Sequence, residues 1–170
     1  MPGRASYEIF DTRKNLLAVA TETGRRSRMD TITGMVPGRR ALEVRDAAGD
    51  PVLSLINRES QWCAELIDPD GQLIGKIQIG DSRRDYTLID HEDQVIGEAT
   101  GDLAVKQFSV TGAEGERYAQ IRKTWAGVRK EFFTDADHYT VAFTGPVSSR
   151  TRTLIVMVPI VLDMSRYGPY

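Results

Sequence analysis

The stretch Arg152–Met164, RTLIVMVPIVLDM, is the most apolar run in the chain, and the element it forms decides the fold. A helix rises about 1.5 Å per residue, so Leu154–Leu162 covers roughly half of a 30 Å hydrocarbon layer and is too short to span one. Its Val and Ile content favours a strand, while Pro159 is awkward in the middle of either element. A segment apolar on every face belongs in an interior. On pattern alone, buried helix and buried strand stand level.

The segments upstream break the tie. LEVRDAAGDPVLSL, AELIDPDGQLIGKI, YTLIDHEDQVIGEA, FSVTGAEGERYAQI and KEFFTDADHYTVAF each read as strand, turn, strand. Their turns begin at Asp46, Asp68, Asp90, Gly112 and Thr134, a spacing of 22 residues that fits one hairpin plus its connection. Two residues before each turn stands an apolar residue: Val44, Leu66, Leu88, Val110 and Phe132. Six residues into it, four of the five repeats again carry a bulky or apolar residue, Val52, Ile74, Ile96 and Tyr118, while the fifth has Thr140. An aspartate at the first turn position accepts hydrogen bonds from amides two residues on, and Gly49, Gly71 and Gly115 supply positive φ where the chain reverses. An earlier hairpin, YEIFDTRKNLLAVATE, turns at Asp11.

Six hairpins give about twelve strands and leave little room for helices before residue 145. A sheet of that size exposes two edges unless it closes, and a barrel wider than about eight strands needs more than its own side chains to fill it. The run after Arg150 is the available plug. The expected fold is therefore mainly β: a closed antiparallel barrel of about twelve strands around a central hydrophobic C-terminal helix over about 150–165. The six hairpins, KTWAGVRKEFFTDADHYTVAF and the apolar segment ending VLDM resemble the phospholipid scramblase-related branch of the Tubby C-terminal (LURP-one-related) superfamily. The resemblance covers nearly the whole chain and is most specific over Ile121–Phe143 and the terminal segment. It implies the same twelve-stranded barrel around a helix.

Bulk properties narrow the function classes. With 170 residues, net charge −2 and 41% hydrophobic content, the chain is expected to be one globular domain, 1–170. The balance of charge gives no global pull toward nucleic acid, and none is expected as a partner. The single cysteine, Cys63, permits no intramolecular disulfide, and MPGRASYEIFDTRK has no apolar stretch of signal-peptide length. The expected location is cytoplasmic. No nucleophile elbow, Walker loop or dinucleotide glycine pattern occurs, and the two histidines, His91 and His138, fall in turns, so the chain is not expected to be an enzyme or to carry a resident cofactor.

Two segments carry candidate sites. The interval from Asp11 to Asp46 exceeds the repeat by about 13 residues, and the excess, 24–40, holds Arg25, Arg26, Arg28, Arg39 and Arg40 among Met29, Ile32, Met35 and Val36. Each arginine near an anionic surface contributes about 1 kcal/mol, and the apolar residues can enter the interface. Arg84 joins them as a sixth candidate for lipid headgroups. The plainer reading is a solvated loop capping one end of the barrel. For the second segment, Asp135 to Pro146, the resemblance implies calcium, with Asp135 and Asp137 as the metal ligands. Calcium takes six to eight oxygens, whereas this segment offers two carboxylates and TGPVSS adds none, so a turn with two exposed aspartates is the simpler account. The leading expectation is a non-catalytic module that associates peripherally with anionic phospholipid or phosphoinositide at the inner membrane face. Its rivals are calcium-dependent phospholipid scrambling and a protein-interaction scaffold.

Overall fold

The structure, a computed structural model, describes residues 6–23, 39–58, 62–82, 84–102, 106–124 and 138–166. At Arg39, Arg40, Arg58, Thr124, His138 and Arg166 it gives the backbone path. Eleven strands and one helix follow in order: β1 (Ser6–Phe10), β2 (Leu16–Thr23), β3 (Arg39–Asp46), β4 (Pro51–Arg58), β5 (Cys63–Ile67), β6 (Leu73–Ile79), β7 (Asp85–Asp90), β8 (Val95–Gly101), β9 (Gln107–Gly112), β10 (Arg117–Thr124), β11 (His138–Phe143) and α1 (Ser149–Arg166). The strands form one antiparallel sheet in which each lies beside its neighbour in sequence, from β1 to β11.

Five of the six expected hairpins are complete. Of the sixth, the return strand β11 is present and pairs with β10, from Ala119↔Phe143 to Thr124↔His138, while its outgoing segment 130–134 lies outside the described residues. Closure into a barrel is not part of the described ladders, which run as an open row.

The turns repeat one geometry because the sequence repeats its chemistry. Oδ1 of Asp11 accepts the amides of Arg13 and Asn15 at 2.8 and 2.9 Å, and that of Asp46 those of Ala48 and Asp50 at 3.0 and 2.9 Å. Asp68 does the same with Asp70 and Gln72, and Asp90 with Glu92 and Gln94. Three residues after each turn start, the backbone is left-handed: Lys14 (φ 64), Gly49 (φ 90), Gly71 (φ 85), Asp93 (φ 61) and Gly115 (φ 86). Only glycine takes that conformation freely. The fifth turn has Gly112 where the others have aspartate, and Glu116 serves it from the far side, accepting the Glu114 amide at 3.0 Å.

β-bulges decide which residues face inward beyond the turns. Val44 pairs with Leu53 and Arg45 with Pro51, which leaves Val52 as the extra residue. Ile96 and Tyr118 are extra in the same way, as is Leu17 in the first hairpin. A bulge adds one residue and so reverses the inward–outward alternation beyond it. The inward positions are therefore Leu53 and Leu55, Ile77, Ala99, Ala119 and Ile121, all buried, whereas Val52 is exposed and Ile96 and Tyr118 are half-buried. Val44, Leu66, Leu88 and Val110, the apolar residues two positions before their turns, are buried.

The chain forms two compact units, Met1–Ile74 and Gly75–Tyr170. The first buries Ala20, Leu42, Val44, Leu53, Leu55, Ala64 and Leu66. The second buries Tyr86 edge-on to Phe108, with ring centroids 5.8 Å apart, together with Ile77, Leu88, Val110 and Ile121. It also contains α1, which packs against β7 and β11. The apolar run is thus a helix. Leu154, Ile155, Met157, Val158, Ile160, Val161, Leu162 and Met164 are each no more than 6% exposed, so most of its circumference is covered, with Arg152 on the exposed side. Ser148 caps it, its Oγ accepting the Thr151 amide at 3.2 Å. Pro159 sits inside the helix and deprives the Ile155 carbonyl of its intrahelical donor. At Gly75 on β6, an added Cβ would lie 2.6 Å from the Ile89 carbonyl oxygen and 2.9 Å from Leu154 Cδ1. The helix rests on strand backbone there because no side chain intervenes.

Candidate functional site

Strand direction sorts the connections of the first unit into two ends. β1, β3 and β5 run toward the turns that start at Asp11, Asp46 and Asp68; β2 and β4 run away from them. The turn end carries Asp11, Asp46, Asp50, Asp68 and Asp70, against Arg13, Lys14 and Arg45, whose Nη1 donates to the Gly49 carbonyl at 2.8 Å. Asp11, Asp46 and Asp68 are engaged with turn amides, and hydrogen bonds from Asn15, backbone first and then side chain, hold the Asp11 carboxyl below its ordinary range. The loop DPDG accordingly reads as a turn: Asp68 Oδ1 is taken by two backbone amides.

The opposite end of that unit is basic. β3 opens with Arg39 and Arg40, and the register aligns Arg39 with Arg58 on β4 and Arg58 with Cys63 on β5. Arg40 is the register partner of Asn57, which in turn faces Ala64. Asn57 is 3% exposed and its Oδ1 has no hydrogen-bond partner among the described residues. Glu22 and Glu65 lie a step or two further into the strands. Immediately before β5 stands Trp62, with φ 51 and 45% of its surface exposed. Of the lipid-facing residues expected from sequence, Arg39 and Arg40 therefore open a strand at this end, and Arg25, Arg26 and Arg28 lie outside the described residues.

Arg84 belongs to the second unit and to a different setting. Its carbonyl accepts the Gly101 amide at 2.7 Å and its own amide meets Ser82 Oγ at 3.3 Å, so its backbone closes the entry to β7. Asp81, Asp85 and Asp102 stand around it in sequence, and Ser82 Oγ donates to Asp85 Oδ2 at 3.2 Å. This end of the second unit is mixed in charge rather than basic.

At the start of α1, Arg150 Nη1 lies 2.7 Å from His91 Nδ1. A guanidinium only donates, so Nδ1 is the acceptor in this contact. Asp90 lies near both; the Gln94 amide is the largest influence holding its carboxyl below the ordinary range, with His91 and Arg150 adding to the effect. Arg152 stacks over Phe143 at 4.3 Å, and Lys76 pairs with Asp93 at 2.9 Å. His91 is thus an exposed turn residue, as the sequence suggested, that also contacts the helix start.

Asp135 and Asp137 lie outside the described residues. Among the described residues no group of three His, Cys, Asp or Glu side chains is arranged to hold a metal ion. No described helix is long and apolar enough to cross a membrane. Cys63 is half-buried on its strand, whereas Trp62 beside it is exposed.

Comparison with known proteins bears on all of these features. A family model described as Scramblase matches residues 4–168. No curated protein matches the chain. A protein from Arabidopsis thaliana, solved by X-ray crystallography, is similar in structure with a TM-score of 0.58 at 16% sequence identity, over 95% of this chain and 85% of that one. At that identity the likeness concerns the fold.

Proposed function

The chain belongs to the Scramblase family, and from that premise we propose that it is a non-catalytic module that binds anionic phospholipid peripherally at the cytoplasmic membrane face. The observation that carries this reading is the polarity of the first unit, with aspartates at the turn end and Arg39, Arg40 and Arg58 at the other. The segment 24–38, outside the described residues, connects β2 to β3 in the sequence and carries Arg25, Arg26 and Arg28, whose charge we assign to the same end. An anionic surface attracts one end and repels the other, which orients the unit as well as holding it. Arg84, set among acids, is expected to contribute less. Closure of the sheet into a barrel stays part of this proposal.

The rival is calcium-dependent scrambling, with Asp135 and Asp137 binding the metal and α1 entering the bilayer. The burial of α1 disfavours it. In the bilayer its eight buried side chains would again lie in an apolar medium, but the apolar strand faces they cover would be left to water at roughly 25 cal/mol per Å².

Vesicle co-sedimentation tests the proposal. Phosphatidylserine-containing vesicles are expected to retain the protein at low salt and release it as screening shortens the reach of the charges. A variant with Arg25, Arg26, Arg28, Arg39 and Arg40 changed to serine should stay in the supernatant. Equal retention of that variant would remove the proposal.

A further inference from the structure

We propose that Trp62 is the interfacial anchor of the basic end, an indole that enters the headgroup region of an anionic bilayer beside Arg39 and Arg58. The inference rests on the lipid-binding reading and specifies its contact.

Three observations converge on this residue. Trp62 is 45% exposed, although tryptophan is a large side chain that folding normally covers. Its backbone has φ 51, a left-handed conformation that L side chains rarely adopt. A residue held in such a conformation directs attention to function. Finally, Trp62 directly precedes the strand residue that completes the row Arg39↔Arg58↔Cys63. An amphipathic ring one residue from a strand row that carries two arginines matches the layered chemistry of a membrane surface, with charge meeting phosphate and carboxylate groups while the ring sits at the boundary with the acyl chains.

Charge decides between this surface and the other exposed apolar residues of the unit. Phe10, Leu16 and Leu17 are 52%, 37% and 49% exposed, but they flank the turn that starts at Asp11, at the acidic end. Val52 follows the Asp46 turn at that end as well. A negatively charged bilayer repels those carboxylates. Trp62 is the exposed large apolar residue, among those described in this unit, that lies at the basic end.

The chain has two tryptophans, Trp62 and Trp125, so a Trp125→Phe background isolates the first as a fluorophore. On mixed phosphatidylcholine–phosphatidylserine vesicles its emission is expected to shift to the blue, and lipids brominated near the headgroup to quench it more than lipids brominated near the chain terminus. Trp62→Gly removes the ring while suiting the left-handed backbone. It is expected to weaken vesicle binding about tenfold with an unchanged or higher thermal midpoint. Wild-type retention with an unshifted Trp62 spectrum, or undiminished binding by Trp62→Gly, overturns this inference and leaves the lipid-binding proposal standing. Equal quenching on phosphatidylcholine alone also overturns it, because the adjacent arginines are assigned to anionic headgroups. Absence of any wild-type retention overturns both.

Discussion

Gly75→Ala is the most direct test of how closely α1 sits on the sheet. The new methyl group would lie 2.6 Å from the Ile89 carbonyl oxygen and 2.9 and 3.1 Å from the two methyls of Leu154. The carbonyl belongs to strand backbone in the β6–β7 ladder, where Lys76 faces Ile89, and cannot withdraw without disturbing that pairing. Leu154 is fully buried and has no open space to turn into. Both neighbours must therefore shift, and overpacking of this kind costs about 1–3 kcal/mol. For a protein of this length each kcal/mol moves the thermal midpoint by about 2–4 °C, so circular dichroism should record a fall of about 2–12 °C. Leu154→Ala alone should cost about 2–5 kcal/mol by opening a cavity. Combined with Gly75→Ala, the added methyl partly fills that cavity and one of the two clashes disappears. The double variant should then be more stable than the two costs predict, by about 0.5–3 kcal/mol. A midpoint for Gly75→Ala within error of wild type, or strict additivity in the cycle, would refute the seating of α1 on β6.

The turns yield two further tests. Lys14 occupies the left-handed turn position that glycine holds in three of the other hairpins, so Lys14→Gly should stabilise the protein by about 1 kcal/mol in chemical denaturation. Gly71→Ala, with nothing within 4 Å of the added Cβ, should destabilise by a similar amount through φ alone; no change in either would detach stability from turn conformation. In acid, Asp11 and Asp90 matter through their backbone hydrogen bonds, which depress their native pKa values. The unfolded chain then holds these protons more tightly, so the stabilisation is complete above the ordinary aspartate range and is lost as pH falls through the native values. The variant with both Asp11→Asn and Asp90→Asn should show a flatter fall of thermal midpoint below about pH 4, and an acid limb identical to wild type would exclude these carboxylates as its cause.

Much of the architecture was legible because it is written in local chemistry. Asp46, Asp68 and Asp90 recur with the period of the hairpins and perform the same hydrogen bonding in each, and a run apolar on all sides had to be internal. The inward set was not legible in the same way, because a bulge is invisible in the alternation it interrupts: Val52, Ile96 and Tyr118, bulky residues in extra positions, look like a continued strand face. The basic cluster was only half legible. Arg39 and Arg40 stand out as a pair, but the alignment of Arg39 with Arg58, and the separation of all three from the aspartates, depend on strand direction and register. His91 was read as a solvated turn residue, since nothing local announces a contact with Arg150, 59 residues away.

The pairing of every strand with its neighbour in the chain also has a kinetic consequence. Most ladders can zip from a tight turn, where few conformations are lost before the first hydrogen bonds form. Two cannot: β2 must find β3 across residues 24–38, and β10 must find β11 across 125–137. Closing a longer loop costs more entropy before any contact repays it. The late events of folding should fall at these two joints, and shortening either connection should hasten the search without altering the hairpins on each side.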